Sequence, residues 1–123
     1  MNPDQRSNVI VERSFAYALS VVNICRDLQA DAVARVLARQ LLRAGTSIGA
    51  NVHEAQAAQS KAEFISKMYI AYKEARETAY WLRLVRDAEL VKVSRLGDLA
   101  DETAQLVKIL SSILLTSKQN SKK

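Results

Sequence analysis

The sequence predicts an all-α fold, an antiparallel up-down four-helix bundle, on three observations. Breakers are scarce: three Gly and one Pro in 123 residues, the Pro at position 3, ahead of any patterned segment. Ala, Leu, Arg, Lys, Glu and Gln dominate instead, and these residues favour helices. Apolar residues recur at three- and four-residue steps in four segments of similar length, and short connections make consecutive helices antiparallel neighbours.

The first segment covers about residues 8–28. Val11, Phe15, Ala18, Val22 and Cys25 mark its expected buried face, and residues 29–32 form a turn. The second covers about residues 33–58, with Val33, Leu37, Leu41, Ala44, Ile48 and Ala55 on one face at 100° per residue. Gly45 and Gly49 lie inside it, each at a cost of about 1 kcal/mol relative to Ala. The apolar phase runs through both unchanged, so one continuous helix is expected.

The third segment starts at a capping box, Ser60-Lys61-Ala62-Glu63. The Ser60 side chain should accept from the Glu63 amide while Glu63 reaches back to the Ser60 amide. Phe64, Met68, Ala71, Ala75, Thr78, Leu82 and Val85 then alternate four- and three-residue steps to about Ala88. Residues 89–93 turn the chain, with Ser94 as the expected N-cap. Leu96, Leu99, Thr103, Leu106, Leu110 and Ile113 form the last seam, which Leu114 and Leu115 close. The bundle is thus expected over residues 1–116, followed by a basic disordered tail, 117–123 (SKQNSKK), with no apolar residue to bury.

Composition narrows the setting. With 49% hydrophobic residues the chain can form a core without metals or disulfides. The single cysteine, Cys25, excludes an internal disulfide and fits a reducing compartment. The polar N-terminus does not read as a signal peptide, and no apolar run approaches the ~20 residues that span a bilayer. A cytoplasmic protein with no membrane partner and no small-molecule substrate is expected. The net charge of +5 and pI near 9.6 allow nucleic acid as a partner without requiring it.

Several side chains lie outside the four seams. Ile70 and Trp81 point about 100° from the core stripe of the third helix, and Tyr80, Leu84 and Tyr69 lie further round. Contiguous aromatic and aliphatic surface of this kind suits a protein–protein interface. Coverage by the neighbouring helices of a splayed bundle would also account for it. On the second helix Ala38, Leu42, Gly45 and Gly49 share an outward line, where small residues would let another helix approach. Two merely tolerated glycines explain that line equally well. Arg35, Arg39 and Arg43 repeat every four residues, with His53 near the same line, and Lys73 and Arg76 interleave with Tyr69 and Tyr80. Cations between aromatics can hold phosphates while bases stack, although an ordinary solvated face has the same composition.

Catalytic patterns are missing. A di-iron bundle needs two Glu-x-x-His motifs and two further Glu, whereas His53 is the one histidine and has no Glu three residues before it. Cys25 and His53 fall on different faces, and no glycine-rich phosphate loop occurs. No enzyme, metal or cofactor is expected. One polar set remains: Asn51 on the core stripe of the second helix with Ser47 and Glu54 beside it, and Lys67 and Glu74 on the third helix as partners. Polar groups there would set helix register.

Residues 40–55 (QLLRAGTSIGANVHEA), 60–64 (SKAEF) and 70–82 (IAYKEARETAYWL) closely resemble the bacterial four-helix-bundle proteins encoded by intervening sequences in 23S ribosomal RNA genes. Val52 and Ala55 stand where that family commonly has Ile and Gly, and Ala55 suggests that the helix continues there. The resemblance implies a homo-oligomer, a pentamer by analogy with related bundles, and no enzymatic activity. It extends more distantly to the accessory variability determinants of diversity-generating retroelements, basic pentamers that bind a reverse transcriptase and nucleic acid. The expected function is a self-assembling, non-catalytic scaffold whose basic surface binds RNA or DNA. The alternative is a protein-interaction module that binds no nucleic acid.

Overall fold

The computed structural model describes the backbone of residues 3–121 and the side chains of residues 8–119. Four helices follow one another: α1 (Pro3–Asp27), α2 (Ala32–Ala55), α3 (Lys61–Asp87) and α4 (Val93–Ser121). Each packs against its sequence neighbours, and α1 packs against α4. Among the described residues no Cα atoms of the diagonal pairs come within 8 Å, so the helices close an antiparallel up-down bundle as expected.

Local chemistry sets the helix ends. Asp31 caps α2, its carboxylate accepting from the Ala34 amide at 2.8 Å. Ser60 caps α3 by accepting from the Glu63 amide at 3.0 Å. The returning half of this box falls one residue earlier than expected, because Glu63 accepts from the Gln59 amide at 2.9 Å. At the end of α3, the Leu90 amide donates to the Val85 carbonyl and the Glu89 amide to that of Arg86. This is a Schellman closure with Glu89 at φ 57°, a left-handed position that usually goes to glycine.

Four boundaries differ from the sequence reading. α1 starts at Pro3, ahead of the expected start near residue 8. Ser94 lies inside α4 and does not cap it. α2 ends at Ala55 and does not continue past it. α4 runs to Ser121, through most of the tail expected to be disordered, and Lys118 lies 5.7 Å from the Tyr69 ring. That contact links the last turns of α4 to α3. Residues 122–123 lie outside the described residues.

The seams of α3 and α4 are buried in the expected phase, from Met68 to Val85 and from Leu96 to Ile113, with Phe64 half-buried. α1 is rotated by about one residue. Its buried face is Ile10, Ser14, Tyr17, Val21, Ile24 and Cys25, with buried Leu28 just past its end, while Phe15 is 64% exposed and Val11, Ala18 and Val22 lie on the flank. The reason is pairwise fit. The hydroxyl of Tyr17 meets Thr103 on α4, and Ser14 is small enough to let Gly49 approach. On α2, Ala34 and Ala38 face inward in place of Val33, which is 67% exposed, and half-buried Leu37.

Candidate interaction surfaces

The outer corner of α2 and α3 is organised by charge. The Arg43 guanidinium donates to Glu74 at 3.3 Å and to Glu77, and the Glu77 carboxylate also accepts from the Trp81 indole nitrogen at 2.9 Å. Further along the same seam Lys67 pairs with Glu54 at 3.5 Å. Val36 lies two turns before Arg43 and Leu84 two turns after Glu77, so the antiparallel register of these pairs puts Val36 and Leu84 at the same level of the seam. Trp81 is half-buried against the core and packs edge-on to Tyr80, with ring centres 5.2 Å apart. The resulting apolar corner holds Tyr80 (57% exposed), Val36 (52%) and Leu84.

The residues expected at an interface therefore divide. Tyr80 and Leu84 are exposed, whereas Trp81 and Ile70 are half-covered within the single chain. Leu42 stands on the other flank of α2, in the groove facing α1. Gly45 and Gly49 do not face outward. A Cβ on Gly45 would meet Val21 at 2.8 Å, and one on Gly49 would meet the Ser14 carbonyl oxygen at 3.1 Å. The helix that approaches these glycines is α1 of the same chain. Val36 and Leu19 belong to the exposed apolar set without having been singled out in the sequence, and Phe15, expected on the buried face, joins them. An i, i+4 pair such as Phe15 and Leu19 is visible in the sequence, yet only the phase of α1 shows that it faces outward.

The basic residues divide too. Arg43 is neutralised by its two carboxylates and leaves the expected stripe. The Arg35 guanidinium donates to the Gln29 carbonyl at 3.3 Å, and Arg39 lies alongside it. Both line an open groove of about 470 Å³ between α1 and α2, with Arg26 on its far wall and Val22, Cys25, Ala38 and Leu42 as its floor. Among the described residues no carboxylate lines this groove. Elsewhere Lys73 lies 5.4 Å from the Tyr69 ring, and Arg76 is exposed on the next turn of α3.

The polar set does not form the buried cluster expected. Asn51 sits on the flank of the core and donates to the Ser47 carbonyl of its own helix at 2.8 Å, while the Ser47 hydroxyl donates to the Arg43 carbonyl. Glu74 turns to Arg43 and away from Asn51. Only the Glu54–Lys67 pair links the helices as expected. Among the described residues no three His, Cys, Asp or Glu side chains group to hold a metal ion, and no helix is long and apolar enough to cross a membrane.

Comparisons with known proteins bear on this arrangement. The family model described as 23S rRNA-intervening sequence protein matches residues 6–112. A crystal structure at 1.70 Å of a protein with unknown function from the S23 ribosomal protein family of Bacteroides thetaiotaomicron VPI-5482 is 39% identical. It superimposes with a TM-score of 0.84, the match covering 89% of this chain and 97% of that one. No curated protein matches the chain.

Proposed function

The chain belongs to the 23S rRNA-intervening sequence protein family, and we propose that it is a non-catalytic, self-assembling scaffold of the cytoplasm, a homopentamer by its resemblance to related bundles. The observation that carries this reading is the exposed corner of Val36, Tyr80 and Leu84, braced from beneath by Trp81 and the Arg43–Glu77 pair. Rigid aromatic side chains on a fixed backbone lose little entropy when they are covered, which suits an interface. Light scattering at micromolar concentration tests it. A mass several times 13.7 kDa is expected, and a single chain overturns the reading.

RNA or DNA is the partner that fits the α1–α2 groove, on the strength of Arg26, Arg35 and Arg39 converging over a floor with no carboxylate. Phosphates would take the guanidinium groups by counterion release. About three contacts predict a slope of log affinity on log salt of roughly −2 to −3. Reversing Arg35 and Arg39 to Glu should flatten that slope and weaken binding of a single-stranded RNA probe at least tenfold. Arg43→Glu should change it far less, because Arg43 is already neutralised. Equal effects at all three positions would discard the groove.

A further inference from the structure

We propose that copies of this chain join head to tail, the basic aromatic corner of α2 and α3 on one copy seating in the acidic groove between α1 and α4 of the next. This rests on the self-assembly proposed above and names the surfaces that it uses. Two apolar patches stand on different sides of the bundle. One is the corner of Val36, Tyr80 and Leu84. The other is Phe15 with Leu19 (53% exposed), one turn apart on α1. The second patch borders a groove of about 430 Å³ that Ala16, Ser20 and Asn23 line from the α1 side, with buried Ile24 and Leu99 at its base.

The surroundings of the two patches differ in sign. α2 and α3 carry nine Lys and Arg against five Asp and Glu, whereas α1 and α4 carry six of each, so the contrast at the groove rests on its local carboxylates. Lys73 and Arg76, on the turns just before Tyr80, have no carboxylate partner among the described residues. At the groove, Glu102 neutralises Arg13, and Asp27 neutralises Arg95 at 2.6 Å. Asp98 lines the groove, and Glu12 stands one turn before Ala16 on α1; both are exposed and neither has a cationic partner among the described residues. Bringing like patches together would oppose like charges, whereas unlike patches match in both charge and apolar content. Contact between two different patches repeats from copy to copy until the rotation closes a ring.

A charge swap read by light scattering decides the matter. Lys73→Glu with Arg76→Glu should weaken assembly by about 100-fold or more, and so should Glu12→Lys with Asp98→Lys. All four changes in one chain restore the opposite signs and should return assembly to within about tenfold of the parent. All four positions are exposed, and circular dichroism checks that each variant keeps its helices. Leu19→Ser and Tyr80→Ser, each also exposed, should weaken assembly about tenfold through the apolar patches. Parental mass in the Glu12→Lys, Asp98→Lys variant overturns the groove as the partner surface while leaving self-assembly standing. So does a fourfold variant that stays a single chain. A parent that is itself a single chain overturns self-assembly as well.

Discussion

The Tyr17 hydroxyl lies 2.5 Å from the Thr103 hydroxyl in the interior between α1 and α4, and Thr103 donates its one proton to the Leu99 carbonyl at 2.7 Å. Tyr17 is therefore the donor of the pair, and its two partners are unequal to lose. Tyr17→Phe deletes the donor while Thr103 keeps its bond to Leu99, a cost of about 1 kcal/mol. Thr103→Val strands a buried phenol and should cost about 1–3 kcal/mol. Urea melts of the two variants should rank them in that order. Cys25 carries a second consequence of burial. Its thiol donates to the Ala38 carbonyl at 3.4 Å, and desolvation pushes its pKa from 9.0 up to about 11. Between those values the unfolded chain releases the proton while the folded one holds it. The thiol's contribution is thus complete below pH 9 and lost as pH rises toward 11, on the order of 2 kcal/mol. Melts at pH 8 and pH 10.5 should differ by more in the parent than in Cys25→Ala.

Helix ends and helix spacing set the energetics at the next scale. Gly45 and Gly49 let α1 and α2 approach closely, and the β-branched Val21 against Gly45 has little room to move. Gly45→Ala should therefore destabilise by about 1–3 kcal/mol despite its better helix propensity. Gly97, with nothing within 4 Å of its would-be Cβ, should gain about 0.5–1 kcal/mol on the same change. Thermal melts of the two variants should move in opposite directions. Glu89→Gly relieves the left-handed position after α3 and should stabilise by about 1 kcal/mol. The sequence shows why some elements were legible and others not. α3 and α4 each carry one strict apolar stripe, so their phase can be read directly. α1 carries two adjacent stripes, and the buried one contains Ser14 and Tyr17, which look polar until Gly49 and Thr103 are seen to partner them. The two glycines were visible as a small-residue line, but their partner in the fold was not. The exposed pair Tyr80 and Leu84 was readable from helical angle alone, whereas the diversion of Arg43 to Glu74 and Glu77 depends on inter-helix register, which periodicity does not fix.

At the scale of the whole molecule, self-assembly of the kind proposed would link stability to protein concentration. The core of a chain this size slightly more than offsets the conformational entropy of four helices, leaving a net stability of the order of 5–15 kcal/mol. Apolar corners such as Val36, Tyr80 and Leu84 contribute to that net only when something covers them. If copies of the chain supply the cover, the folded state includes a mass-action contribution, and the melting temperature must rise with protein concentration. A hundredfold change in concentration alters that contribution by about 2.7 kcal/mol for each association step. A domain of this size then shifts by several degrees or more. Differential scanning fluorimetry on Trp81 from about 1 to 100 μM should show this rise. The indole of Trp81 lies under the corner and hydrogen-bonds to Glu77, so its emission reports the same surface. Tyr80→Ser should flatten the concentration dependence while lowering the dilute-limit melting temperature little, because Tyr80 is mostly exposed in the single chain. A melting temperature that stays constant over that range would mean that the corner remains uncovered, and the chain would then be stable on its four internal seams alone.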